Sequence, residues 1–221
     1  MKLCVLGGKG NGLVIAASIE RSMNDLDVAF FNDVDDIGKK IGDLKAVMVE
    51  GKTEDIYNVL KNEKAYVISG YGGFSNPKAT LERLHSLQVP KEKWFTYTDP
   101  TSVIPFDYCE IGVGVFIGPL VQMSANSKIG DHTSIFGNAF VGHDTVVGEF
   151  CHIASNAVLG ARINVGKGVH VGLNSTIIED ITIGDYSVIG AGSVVVKDVP
   201  PNTFVVGNPA KFLKSRRYDE K

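Results

Sequence analysis

The chain has 221 residues, a formal net charge of −3, and 44% hydrophobic and 21% charged residues, the composition of an ordinary globular protein. Its 25 glycines exceed the usual share of about 7%, but they lack the period of collagen, and the hydrophobic content argues against a disordered glycine-rich chain. The charge balance gives no argument for nucleic acid or an anionic membrane as a partner, and no apolar run reaches the roughly 18 residues of a transmembrane helix.

The N-terminus starts with a short apolar run that leads directly into glycines. A signal peptide needs a basic start, a longer apolar core and a small-residue cleavage site, so we expect a cytoplasmic protein. Cys4, Cys109 and Cys151 are widely spaced and odd in number, and they form neither a disulfide framework nor a CxxC metal pair. We expect reduced, mostly buried thiols.

The first hundred residues alternate between short apolar strands and helices. This alternation predicts a parallel sheet, and we expect a small Rossmann-like domain of about three to five strands over residues 1–100. A segment with two prolines, 98–108, links it to the second half of the chain. The predicted strands are 2–6, 27–33, 46–50, 65–69 and 94–98, and the predicted helices are 13–23, 53–62 and 77–87.

A glycine-rich loop, GGKGNG at residues 7–12, follows the first strand. Its spacing is GxGxG and not the GxGxxG of a dinucleotide fingerprint, which argues against bound NAD. A strand end, glycines and a helix N-terminus nevertheless form an anion-binding arrangement. Asn32 and Asp33 lie about 20 residues later, at the end of the second predicted strand, where a ribose or base contact is expected. A tight turn without a ligand is the alternative interpretation.

The second half of the chain contains an internal repeat of six residues, or hexad. Every sixth residue is aliphatic or Met for fifteen consecutive positions without an insertion, and ten of them are followed by glycine. A period of six fits neither an amphipathic helix nor a plain strand, but it fits a short strand plus a turn. The positions are Ile111, Ile117, Met123, Ile129, Ile135, Val141, Val147, Ile153, Leu159, Val165, Val171, Ile177, Ile183, Ile189 and Val195.

Three hexads make one triangular coil with the aliphatic side chains inside, so residues three hexads apart form a column along the stack. Coils stack at about 4.8 Å, so five coils give a prism roughly 24 Å long. We expect the prism domain to cover residues 101–200, with residues 201–221 as a cap or tail. Such a solenoid has exposed ends, which the N-terminal domain and the tail are placed to cover.

His143 is the histidine whose surroundings favour chemistry. It lies beside Asp144, and its neighbours in the column are Ala125 and Ala161, whose small side chains leave space over the imidazole. An imidazole can remove a proton near neutral pH, and a neighbouring carboxylate favours the imidazolium that forms. His143 is therefore a candidate general base.

The other histidines have simpler interpretations. His152 and His170 are three hexads apart and therefore stack in one column, whereas His85 on a surface helix and His132 in a turn are expected to be incidental. Cys151 occupies an interior position of its hexad, so we do not expect it to act as a nucleophile.

The repeat resembles that of the hexapeptide-repeat family, which folds as a left-handed parallel β-helix. That resemblance implies an acyltransferase that uses acetyl-CoA or an acyl carrier protein, and a homotrimer with active sites between neighbouring prisms. Three segments narrow the resemblance to one group within this family: the glycine loop, FND at 31–33 and GHDTVVGEFCHIA at 142–154. Together they resemble the bacterial sialic-acid O-acetyltransferase and nucleotide-sugar N-acetyltransferase family over nearly the whole chain.

This narrower resemblance implies N-acetylation of a 4-amino-4,6-dideoxyhexose linked to UDP, dTDP or GDP, in polysaccharide, glycan or O-antigen synthesis. It implies that His143 is the general base, that Asp144 is its acidic neighbour, and that His152 contacts the acetyl-CoA end. It implies no metal. The positions that match backbone contacts to the thioester and pantetheine are Ala161, Leu173 and Ala191, two of which often carry Gly in the family.

The resemblance also assigns a nucleotide-sugar side. The family often has Ser-Gly-His in the glycine loop. Lys9 and Asn11 depart from that pattern, so the identity of the nucleotide stays open. The matching positions are Lys9, Gly10, Asn11, Asn32, Asp33 and Gly70.

The C-terminal segment is also similar to that of the family. By this resemblance Lys211, with Lys214, Arg216 or Arg217, could pair with the phosphates of coenzyme A. A solvated basic tail is the alternative interpretation.

The residues alone leave three other functions open. The same base would serve O-acetylation of sialic acid or another sugar hydroxyl. His143, His152 and His170 could bind zinc across a subunit interface, as in γ-type carbonic anhydrases, although zinc needs three converging ligands and the nucleotide-like domain would then be idle. A non-catalytic binding subunit is the third.

Overall fold

The structure is a computed structural model that describes residues 1–72 and 76–216. Its first part is a five-stranded sheet with helices, in the strand order β3-β4-β2-β1-β5, and every neighbouring pair is parallel except β3 with β4. The elements are β1 Lys2–Leu6, α1 Asn11–Ser22, β2 Asp27–Phe31, β3 Lys40–Ile41, β4 Val47–Gly51, α2 Ile56–Leu60, β5 Ala65–Ser69 and α3 Pro77–Ser86, with 3-10 turns at Thr53–Asp55, Lys91–Lys93 and Phe106–Tyr108.

The chain leaves β1 toward β2 and later crosses to β5 on the other side of β1. The loops after β1 and β5 therefore meet at the carboxyl edge of the sheet, where open α/β sheets bind their ligands. A Cβ added to Gly70 would lie 2.6 Å from the Cα of Gly12, and one added to Gly7 would lie 3.3 Å from the carbonyl of Gly70. Glycine is required because only a bare backbone permits this approach.

The rest of the chain forms a prism of three parallel sheets. The first face contains β7, β10, β13, β16 and β19, the third face contains β9, β12, β15, β18 and β21, and the second face contains the others. The strands are β6 Tyr97–Thr98, β7 Glu110–Ile111, β8 Phe116–Ile117, β9 Gln122–Met123, β10 Lys128–Ile129, β11 Ser134–Ile135, β12 Phe140–Val141, β13 Val146–Val147, β14 His152–Ile153, β15 Val158–Leu159, β16 Asn164–Val165, β17 His170–Val171, β18 Thr176–Ile177, β19 Thr182–Ile183, β20 Val188–Ile189, β21 Val194–Val195, β22 Thr203–Val206 and β23 Lys211–Ser215.

The interior of the prism is the aliphatic column that the repeat predicts. Each prism strand pairs with the strand three hexads along, for example His152 with His170, and the hexad residues are buried except Ile111 at the first coil, which is partly buried. Buried hydroxyls tie successive coils: Thr133 Oγ1 donates to the Gly148 carbonyl at 2.8 Å, and Thr145 Oγ1 to that of Gly160 at 3.0 Å. The period and the three sheets fit a left-handed β-helix.

The N-terminal sheet packs on the second face of the prism. Phe116 and Phe136 of that face belong to the same apolar cluster as Ile15 of α1 and Phe30 of β2. At the other end, β22 pairs with β20, and β23 folds back antiparallel to β22. In the part of the chain that the structure describes, no helix has the length and apolar character needed to span a membrane.

A buried carboxylate fastens α1 to the start of the prism. Asp99 is 1% exposed, and it accepts hydrogen bonds from the backbone and hydroxyl of Thr101, from the Tyr97 hydroxyl and from Arg21 of α1. Burial would raise the pKa of Asp99, but the hydrogen bonds from Thr101, Arg21 and Tyr97 outweigh it and lower the pKa to about 2.

We expect Asp99→Asn to destabilise the protein in a pH-dependent way. Because the folded pKa lies below the ordinary value of about 3.9, the ionised group contributes about 2 kcal/mol of stability above that value, and the contribution is lost as the pH falls toward 2. Urea unfolding of both proteins should therefore differ at pH 7 and converge near pH 2. Asp43→Asn, at an exposed position, is the matched control. A difference that does not depend on pH would contradict this assignment.

Candidate active site

His143 lies on the corner between the third and first faces of the prism. It follows Val141 of β12 in a turn, and its neighbour Asp144 adopts the left-handed conformation with φ of 57°. The side chains of His143 and Asp144 are 53% and 46% exposed, and Nδ1 of the imidazole lies 2.6 Å from Oδ2 of the carboxylate. The turn thus presents the imidazole to solvent with its second ring nitrogen directed away from the carboxylate.

Asp144 is itself held by a residue from the preceding coil. Asn126 Nδ2 donates to Asp144 Oδ1 at 3.0 Å. The hydrogen bonds from His143 and Asn126 lower the pKa of Asp144, so the carboxylate is ionised near neutral pH. Asn126 was not among the residues predicted from the sequence, although the repeat places it three hexads before Asp144 in the same column. These two residues also border a cleft of about 520 Å³.

A second, mostly apolar cleft of about 570 Å³ lies on the second face. His152 and His170 stack on its floor with ring centroids 4.5 Å apart and an interplanar angle of 8°, and Phe136 packs on the other side of His152. Burial and the neighbouring His170 lower the pKa of His152 to about 3. Burial lowers the pKa of His170 to about 4, so both rings are neutral at pH 7.

The structure brings some of the predicted residues together and separates others. Asn11, His152, Leu173 and Ala191 all line the second-face cleft, and Asn11 Nδ2 lies 3.4 Å from Nδ1 of His152. His143 and Ala161 lie one coil apart on the corner between the third and first faces, and they do not line this cleft. Within one chain, the predicted base and the cleft are therefore separate features.

The residues assigned to a nucleotide surround the carboxyl edge of the N-terminal sheet. Gly10 precedes α1 with φ of 70° and gives the helix no side-chain cap, so the first turn of α1 is open to an anion. Asn32 Oδ1 accepts from the backbone of Asp35 at 2.7 Å, and Asp33 accepts from the backbone and hydroxyl of Thr53. Lys9 and Gly10 are exposed, whereas Gly70 is buried.

The basic C-terminal residues lie on an edge strand. Lys211 and Lys214 are exposed on β23, and Arg216 donates to the Tyr186 carbonyl at 3.2 Å. Arg217 lies outside the described residues. None of these basic residues within the described range lines the second-face cleft.

Among residues 1–72 and 76–216, no group of three or more His, Cys, Asp or Glu side chains is arranged to hold a metal ion. The parallel stack of His152 on His170 keeps the lone pairs of the two rings in separate parallel planes, and they do not converge on a shared point.

Comparisons with known proteins agree with the repeat in the second half of the chain. They also show that solved structures are similar to nearly the whole chain. A model of the bacterial transferase hexapeptide family (six repeats) matches residues 126–161. A comparison with curated proteins gave no match. Among solved structures, the chain is similar to PerB from Caulobacter crescentus in complex with CoA and GDP-perosamine, at 25% identity and a TM-score of 0.81 over 97% of this chain and 98% of that one.

Two further structures match along their length. The acetyltransferase domain of PglB from Neisseria gonorrhoeae, in complex with acetyl coenzyme A, is 26% identical with a TM-score of 0.78 over 96% of this chain and 98% of that one. WeeI from Acinetobacter baumannii, 22% identical with a TM-score of 0.76 over 96% and 100%, supports the fold alone. The resemblance seen in the sequence is confirmed: the chain carries the transferase hexapeptide repeat over residues 126–161, and its similarity to solved acetyltransferases along nearly its whole length indicates an acyltransferase.

Proposed function

We propose that the protein transfers the acetyl group of acetyl-CoA to the amino group of a nucleotide-linked 4-amino-4,6-dideoxy sugar. The observation that carries the proposal is the exposed His143, held through Nδ1 by an ionised Asp144. The similar PerB structure contains CoA and GDP-perosamine, and the similar PglB domain contains acetyl coenzyme A, which supports both substrates.

In this mechanism His143 acts as the general base. Asp144 binds Nδ1, so the free ring nitrogen takes a proton from the sugar ammonium or from the attacking amine. The amine nitrogen forms a bond to the thioester carbon and the carbon–sulfur bond breaks. The imidazolium, stabilised by Asp144, returns its proton to the departing thiolate. No acyl-enzyme is needed, and Cys151 is unsuited to form one because burial raises the pKa of its thiol to about 12.

The separation of His143 from the second-face cleft supports a composite site. We propose a homotrimer in which His143 of one prism faces the cleft of its neighbour, so that each active site lies between two subunits. His152, Ala161, Leu173 and Ala191 would then surround the acyl donor. Lys211 is the proposed contact for the phosphates of coenzyme A. The alternative is that the basic C-terminal segment is solvated and contacts no ligand.

The N-terminal part is proposed to be a Rossmann-like domain over residues 1–100 that binds the nucleotide sugar, followed by the acetyltransferase prism over 101–200 and a cap over 201–221. The strand order around β1 and the open first turn of α1 support this division. The nucleotide contacts proposed for this domain are Lys9, Gly10, Asn11, Asn32, Asp33 and Gly70.

We place the reaction in the cytoplasm, where acetyl-CoA and nucleotide sugars are available and where free thiols such as Cys4 stay reduced. The product would serve the synthesis of surface polysaccharide, glycan or O-antigen. O-acetylation of a sugar hydroxyl is the second candidate, because the same base would serve it.

The test is an acetyl-transfer assay over UDP-, dTDP- and GDP-linked 4-amino-4,6-dideoxy sugars, monitored by the release of the CoA thiol. We expect turnover with at least one of them. Absence of thiol release with every amino sugar would refute the proposal. Calorimetry with acetyl-CoA would then show whether the protein only binds it, and metal analysis would address the zinc alternative.

A further inference from the structure

Asn11 makes a contact that its place in the nucleotide loop does not explain. It is the first residue of α1, and its side-chain amide lies 3.4 Å from Nδ1 of His152, which is 141 residues later in the chain. The resemblance assigns these two residues to different substrates. In the structure they line the same cleft.

The chemistry of this contact fixes the proton on the imidazole. An amide NH₂ group has hydrogens to donate and no lone pair to accept with, so Nδ1 of His152 must be the acceptor. The ring is buried between Phe136 and His170 and is therefore neutral, with one N–H only. That hydrogen is left on Nε2.

Nε2 of His152 makes no hydrogen bond to another residue in the described part of the chain, and it is not a fully buried atom. It therefore faces the open part of the cleft that His152 lines. The ring cannot easily rotate, because His170 stacks on it and Phe136 packs against it at an interplanar angle of 36°.

We infer that Asn11 is a positioning residue for His152: its amide holds the neutral imidazole as the Nε2–H tautomer, which presents a hydrogen-bond donor to a carbonyl oxygen of the acyl donor in the cleft. The catalytic use of this donor rests on the proposed acetyl transfer, whereas the tautomer does not. A fixed N–H aimed at a carbonyl oxygen stabilises the negative charge that develops there during attack.

The variant Asn11→Asp reverses the hydrogen bond. A carboxylate can only accept, so it favours the proton on Nδ1 and leaves a lone pair on Nε2. The change should not unfold the protein, because an acidic residue in the first turn of a helix is favourable. Asn58→Asp, which makes the same change at an exposed site of α2, is the matched control.

The first readout is the tautomer itself, measured by NMR on histidine labelled with ¹⁵N, with His152→Gln to assign the signal. We expect a protonated Nε2 in the natural protein and in Asn58→Asp, and a protonated Nδ1 in Asn11→Asp. A protonated Nδ1 in the natural protein would overturn the inference. This arm is decided even if the protein acetylates no sugar, so its failure is distinct from failure of the proposed function.

The second readout is steady-state kinetics. We expect kcat to fall about 100-fold in Asn11→Asp and to stay unchanged in Asn58→Asp. A residue that only binds the nucleotide would instead raise KM for the nucleotide sugar while kcat and the tautomer stay as they are, and that result would overturn the inference.

Discussion

His143→Ala should lower kcat by about two to four orders of magnitude while leaving the fold unchanged. The loss is that of the proposed general base, and the fold should survive because the side chain is 53% exposed and outside the core. Steady-state assays and thermal unfolding measure the two effects separately. His85→Ala is the control, because His85 is also an exposed histidine and pairs with Glu149 on the surface. Retained turnover in His143→Ala would remove this residue from the mechanism.

The same variant tests where the site is completed. If His143 acts on the cleft of a neighbouring prism, mixed trimers of His143→Ala and His152→Ala chains contain some sites with both histidines. With equal amounts and random assembly, about a quarter of the sites should be intact. Activity should therefore return on mixing unfolded chains and refolding them together. No recovery, with each variant inactive alone, would show that both histidines act within one chain.

Gly148→Ala should destabilise the prism by about 3 kcal/mol. A Cβ at this position would lie 2.8 Å from the backbone carbon of Gly166 and 2.8 Å from the nitrogen of Lys167, and neither atom can move without shifting the next coil. This result would show that the close stacking of the coils requires glycine, which explains the glycine excess of the sequence. Urea unfolding at fixed protein concentration measures the effect.

Gly192→Asn is the matched control for that variant. Gly192 has φ of 67° with open space around it, and the same column carries Asn138, Asn156 and Asn174 with φ of 61°, 61° and 54°. We expect a change within about 0.5 kcal/mol. If Gly148→Ala were as mild as the control, close coil stacking would not explain the glycines.

The prism could be predicted from the sequence because its contacts repeat. The spacing of 18 residues between His152 and His170 predicts that they share a column, and in the structure their two rings stack. The N-terminal sheet was predicted less completely. The two-residue strand β3 has no period to reveal it, and the predicted helix over 53–62 opens with a 3-10 turn, where Asp55 accepts from the backbone of Lys52.

The candidate site divides in the same way. The contact of His143 with Asp144 is local, and Asn126 follows from the column that it shares with Asp144. The contact of Asn11 with His152 has no sequence signal, because it depends on how α1 docks on the second face. Non-local docking of this kind is set by packing, here of Ile15 and Phe136 in one apolar cluster, and a single sequence does not encode it as a pattern.

The bond formed in the product is the most direct test of the proposed chemistry. The protein would be incubated with acetyl-CoA and a nucleotide-linked 4-amino-4,6-dideoxy sugar, or with the matching sugar that carries a hydroxyl at C4, and the products analysed by NMR. We expect an acetamido group at C4 of the amino sugar and no reaction of the hydroxyl analogue. An ester on a sugar hydroxyl, with the amino group left free, would contradict N-acetylation.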